Sequence, residues 1–130
     1  MKNQAAKVFA IILAITCLTM CVSAARVTAS NSTYKMSAVA SMSDVSGQGA
    51  TQTSKLSGST VYSFHAYVAA YASDGSYNTD SKTRYAVGDI MAVATAPGSG
   101  TPWRAYCKSY FKPTSSSSSI YLINRYVNAG

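Results

Sequence analysis

The stretch from Pro102 to Lys112 alternates too regularly for any conformation but one. Trp103, Ala105, Cys107, Ser109 and Phe111 share one parity, and Arg104, Tyr106, Lys108, Tyr110 and Lys112 share the other. Successive side chains of a β-strand point to opposite faces, whereas a helix would mix the two rows. The first row is therefore expected to face a core and the second to face water. A strand of this kind cannot stand alone, because its backbone groups need partners on both sides.

Other segments supply those partners. From Val61 to Ala72 the even positions (Tyr62, Phe64, Ala66, Val68, Ala70, Ala72) form an apolar row, and the odd ones, with His65, Tyr67 and Tyr71, are mixed. Tyr34, Met36, Ala38, Ala40 and Met42 alternate with a Ser-rich row. Arg84 to Thr95 places Tyr85, Val87, Met91 and Val93 on one parity and is interrupted at Gly88-Asp89. Ile120 to Val127 is apolar on both parities, the pattern of a strand buried on both faces, and Arg26 to Ser30 reads as a short first strand. Between them lie turn-forming runs. Ser46–Gly49 and Ser57–Ser59 bracket a long polar link, and Asp74-Gly75 suits a tight turn. Pro97–Gly100 suits another, and the five serines 115–119 read as a hairpin loop. No helical period appears in this part. The expectation is an all-β fold, a small antiparallel β-sandwich or barrel of five to six strands, arranged as a meander with one crossover.

The N-terminus follows a different rule. Lys2 and Lys7 precede a run from Val8 to Val22 that holds no charge, and Val22-Ser23-Ala24 ends it with compact side chains. This is the order of a secretory leader, expected as a cleavable signal-peptide helix over residues 1–24 with cleavage after Ala24. The run is shorter than the roughly 20 residues a bilayer span requires. Met20 and Thr16, which precede Cys21 and Cys17, suit lipidation poorly. Cleavage would leave residues 25–130 as a single secreted β domain with nine Lys and Arg against four Asp, a net charge of +5. Cys107 would be its one cysteine, so no intramolecular disulfide could support it.

Composition narrows the chemistry. The 130 residues contain no Glu, one His and 33 Ser and Thr, so polarity comes from hydroxyls rather than charge. General acid–base work needs carboxylates placed across a cleft. Asp44, Asp74 and Asp80 sit beside Ser, Gly or Thr in turn-like contexts, and Asp89 follows Gly88. Cys107 and His65 are the one thiol–imidazole combination, and their parities suggest opposite faces. One His and one Cys cannot build a transition-metal site. Asp74, Ser76, Asn78 and Asp80 alternate as calcium ligands might, but the glycine and the final Glu of an EF-hand are missing. No catalytic residue, metal site or cofactor is expected, and the chain is expected not to be an enzyme.

What remains is the outward row Arg104, Tyr106, Lys108, Tyr110, Lys112: three cations and two phenols on one strand face. It could meet anionic polymers through charge or rings through stacking. It could equally be an edge strand carrying charge to prevent aggregation. Given export, the expectation is a secreted, extracellular binding or surface-interaction module. Its partner would be an anionic cell-envelope polymer, a membrane surface or another protein, with no nucleic acid. Self-association through edge strands is a further route. The alternative is a secreted, bacteriocin-like antimicrobial acting on the envelope of competing cells.

Overall fold

A computed structural model describes residues 24–43, 46–98 and 102–128. The chain forms eight strands: β1 (Ala24–Asn31), β2 (Met36–Ser43), β3 (Gln48–Lys55), β4 (Ser63–Ala72), β5 (Tyr77–Arg84), β6 (Gly88–Thr95), β7 (Pro102–Lys112) and β8 (Ile120–Asn128). They make two antiparallel four-stranded sheets, ordered β1-β2-β3-β6 and β5-β4-β7-β8. The sheets pack face to face as a β-sandwich. The first three strands are a meander, and the chain then crosses between sheets before β4, before β6 and before β7. The expected leader helix lies outside the described residues. Both sheets and both apolar clusters lie within residues 24–128.

Two strands beyond the expected five or six were hidden for opposite reasons. β3 reads GlnGlyAlaThrGlnThrSerLys and looks like a polar link, yet Thr51, Thr53 and Ser54 are buried in it. One inward hydroxyl bonds to the facing sheet. Thr53 Oγ1 donates to the His65 carbonyl at 2.6 Å across the sandwich, and Ser109 Oγ lies 2.7 Å from the same oxygen. Thr53 has one hydroxyl proton and gives it to His65, so Ser109 donates to Thr53. β5 is exposed along almost its whole length and carries no apolar row. It forms because its backbone completes the ladder of β4 and because Asp74 nucleates the turn between them. Asp74 Oδ1 accepts from the Ser76 N–H at 2.9 Å, and Gly75 takes φ 90°.

The interior is built from small residues. Ala38, Ala40, Ala66, Ala70, Ala92, Ala94 and Ala105 pack with Met42, Val68, Cys107, Ile123 and Val127. The bulk sits at one end, where Met36, Val61, Phe64 and Phe111 cluster with Tyr34 against the Phe111 ring. The inward rows expected for β2, β4 and, from Ala105 onward, β7 are observed, and two other positions differ from expectation. Tyr62 lies before β4 and is exposed, packed against Tyr85. In β6 the inward parity is Ile90, Ala92 and Ala94 rather than Met91 and Val93.

Sheet edges are managed explicitly where β5 passes β6. Asn78 Nδ2 donates to the Thr95 carbonyl, Asp80 Oδ2 accepts from the Val93 N–H, and Arg84 Nη1 donates to the Asp89 carbonyl. Three side chains of β5 thus take the place of a neighbouring strand along β6. Lys82 and then the Val93 N–H hold the Asp80 carboxyl below the usual carboxylate range. A depressed pKa contributes stability that is complete above the unfolded value and lost as pH falls through the folded one. Asp80→Ala is therefore expected to cost about 1–2 kcal/mol at neutral pH. That difference from the native chain should shrink as pH falls below the ordinary carboxylate range. Urea unfolding across pH 2–7 checks this; a constant difference over that range would assign the loss to packing instead.

Candidate functional site

The expected row lies on the outer side of the second sheet. Ala105, Cys107, Ser109 and Phe111 are fully buried, while Arg104, Tyr106, Lys108, Tyr110 and Lys112 point away from the core and are half-buried. The side chain of Trp103 is outside the described residues. β7 is flanked by β4 on one side and β8 on the other, so it is an interior strand. Protection of a free edge does not account for its charges.

Registration with its neighbours widens the row into a surface. Along β4, Tyr71 stands beside Arg104, Tyr67 beside Lys108 and His65 beside Tyr110. Along β8, Tyr126 stands beside Tyr106, Asn124 beside Lys108 and Tyr121 beside Tyr110. Tyr77 of β5 extends the surface past Tyr71. Seven of the ten tyrosines therefore share one sheet face (Tyr67, Tyr71, Tyr77, Tyr106, Tyr110, Tyr121 and Tyr126) with Arg104, Lys108, Lys112 and His65. No Asp occupies an outward position on these four strands: Asp80 points toward β6, and Asp89 belongs to the other sheet. The same parity on β2 and β3 contrasts with this: Ser37, Val39, Ser41, Ala50, Gln52 and Ser54 hold no ring or charge, and all but Ser37 are buried.

Sequence parity alone reaches only part of this surface. Tyr121 and Tyr126 differ in parity, and a strand of even pleat would send them to opposite faces. The register between β7 and β8 shifts at Ser109/Tyr110, and that bulge turns both outward. The same shift explains the apolar residues on both parities of β8: Ile123 and Val127 pack on the alanine-rich core, and Ile120 and Leu122 on the phenylalanine cluster. β8 is an edge strand with a parity switch, not a strand buried on both faces.

The rings are ordered by one another. His65 stacks on Tyr110 with centroids 4.5 Å apart and planes 7° apart, and Tyr121 tilts against Tyr110 at 4.9 Å. Tyr106 lies 4.8 Å from Tyr126, and its hydroxyl donates to Asn124 Oδ1. The Arg104 guanidinium sits 4.2 Å above the Tyr126 ring, and the Lys108 ammonium lies 5.2 Å from Tyr67 and 5.5 Å from Tyr106. Such contacts hold cations over ring faces by attraction to the π-system. Burial raises the Tyr67, Tyr71 and Tyr110 phenols above the ordinary tyrosine value, with neighbouring tyrosines adding to it. They stay protonated at physiological pH.

His65 is tied by both nitrogens. Nε2 lies 3.0 Å from Ser63 Oγ, and Nδ1 lies 3.0 Å from Thr83 Oγ1. Burial and then the Lys112 charge lower its pKa, so it is neutral at pH 7. Cys107 is on the inner face of the sheet, fully buried, its thiol pushed up to about 11 by desolvation. Imidazole and thiol therefore lie on opposite sides of one sheet and form no nucleophile–base pair. The carboxylates are dispersed as well. Asp74 serves the β4–β5 turn, Asp80 the edge of β6, and Asp89 accepts from Gln52 Nε2 at 3.1 Å, while Asp44 lies outside the described residues. The alternation of Asp74, Ser76, Asn78 and Asp80 is thus spent on protein partners in different directions. An open hollow of about 420 Å³ beside the β1–β2 turn is lined by Ser30, Asn31, Ser32, Lys35, Met36, Ser37 and Leu56, with Lys35 its one titratable group.

Comparison with known proteins adds no family: no family model matches the chain, and no curated protein does.

Proposed function

We propose that the protein is exported, trimmed near Ala24, and acts outside the cell as a non-enzymatic binding module. Its working part is the outer face of the second sheet, and its ligand is an anionic polymer of a cell envelope. The observation that carries this reading is the composition of that face: three cations and seven tyrosines ordered on interior and neighbouring strands, with no acidic group in an outward position. Fields of one sign on a face attract extended polyanions and raise their local concentration. Tyr supplies broad contact at modest ordering cost. The leader pattern at the N-terminus supports export, and the dispersed carboxylates and segregated Cys107 and His65 support a function without catalysis.

Replacing Arg104, Lys108 and Lys112 together by Ser tests the reading. The native protein is expected to bind an isolated anionic wall polymer with an affinity that falls as salt rises, with a log–log slope of roughly −2 to −3 for three phosphate-type contacts. The triple variant is expected to lose most of that slope and about 10- to 100-fold in affinity, while its far-ultraviolet circular dichroism stays unchanged. Equal binding by the two proteins would remove the face from the function. Binding confined to anionic vesicles would move the target to a membrane surface.

A further inference from the structure

Resting on that reading, the arrangement of rings and cations also specifies the ligand. We infer that the face takes a linear phosphodiester polymer of a polyol, bound along β7 through charge and hydroxyl donation at Arg104, Lys108, Tyr110 and Lys112 rather than through stacking on the β7 rings. Outward positions on a strand recur about every 6.6 Å, so Arg104 and Lys112 mark a line roughly 26 Å long. A line of that length suits an extended chain better than a single small anion.

The ring faces decide between polymers. Single-stranded nucleic acids and neutral glycans gain affinity on aromatic proteins by laying bases or sugars flat on open rings. In the middle of this face the β7 rings are already in contact with neighbours, while Tyr77, Tyr121 and Tyr126 on the flanking strands stay exposed. His65 stacks on Tyr110 and Tyr121 tilts against it, and Tyr106 contacts Tyr126 and the Lys108 ammonium. What the centre still offers a ligand is N–H and O–H groups. An ammonium has three donors, so Lys112 retains two after bonding the Ser115 carbonyl. The protonated Tyr110 phenol adds a neutral donor between Lys108 and Lys112. Planar carboxylates are read best by guanidinium forks, whereas tetrahedral phosphates also accept point charges such as lysine. Two of the three cations here are lysines, and the guanidinium is laid against the Tyr126 ring.

The test uses the chain from Ala25 onward, which holds all of the sandwich except Ala24, the first residue of β1. It is titrated calorimetrically with poly(glycerol phosphate) of 2 to 12 repeats, with twelve-residue oligothymidine, with polygalacturonate and with dextran. Poly(glycerol phosphate) is expected to bind best, its affinity rising with length until the oligomer spans the line and levelling off per site thereafter. Tyr110→Phe, which keeps the ring and removes the donor, is expected to weaken binding about tenfold. The length series on the native protein stands whether or not that variant folds. Tighter binding of oligothymidine, polygalacturonate or dextran would overturn this inference, as would an unchanged affinity in folded Tyr110→Phe. If oligothymidine or polygalacturonate wins, the charged-face reading survives; if none of the three anionic polymers binds, both fall.

Discussion

Phe111→Ala is expected to cost about 3–5 kcal/mol, enough to leave the protein at the margin of folding at 37 °C. The ring is 0 % exposed and stands 5.2 Å from the Tyr34 ring, in a cluster with Met36, Val61 and Phe64. Most of the remaining interior is alanine, which has no rotamers with which to move into a hole. The cavity left by truncation therefore persists, and its lining loses contacts outright. The midpoint of urea unfolding measures the loss. Phe111→Leu, which keeps most of the volume, should cost about 1 kcal/mol. A Phe111→Ala variant within 1 kcal/mol of the native protein would show that the alanine-rich part of the sandwich stands without this cluster.

Gly49→Ala is expected to destabilise by about 1–3 kcal/mol, against the usual sign for replacing a strand glycine. Gly49 is not among the glycines with positive φ, so backbone strain is not the reason. Space is. A Cβ built there would lie 2.8 Å from the Ala105 Cβ and 3.0 Å from a Val68 methyl. The Ala105 Cβ is fixed to its own main chain, so it cannot turn aside, and the two sheets would have to separate locally. Ala105→Gly should then recover part of the loss in the double variant, although alone it is destabilising. Such a non-additive cycle is the signature of two groups competing for one volume. Additive losses would place the strain elsewhere.

Both results follow from a core that is thin except at one end. The same economy explains why some strands announced themselves and others did not. β7 and β4 bury a row of apolar or small residues and turn rings and cations outward, so the period of two is printed in their residue types. β3 faces the core with Gly49, Thr51 and Thr53, where Gly49 admits close approach of the sheets and Thr53 makes a hydrogen bond across them. Its burial is unreadable without its partners, because a hydroxyl is as much at home in a loop as opposite the His65 carbonyl. β5 buries almost nothing, and its place comes from the ladder to β4 and the three side chains that seal β6.

The candidate site divides in the same way. Alternation alone placed Arg104, Tyr106, Lys108, Tyr110 and Lys112 on one outward row, because the pleat assigns faces whatever the neighbours are. Whether that row was a free edge or the middle of a surface depended on strand order, which no local pattern encodes. The answer came from pairing with β4 on one side and β8 on the other. The bulge opposite Tyr110 then brought Tyr121 and Tyr126 to the same side despite their opposite parity. A strand's own residues determine which of its side chains point together; only the register with other strands determines what those side chains stand beside, and the shared tyrosine and cation surface is a property of that register.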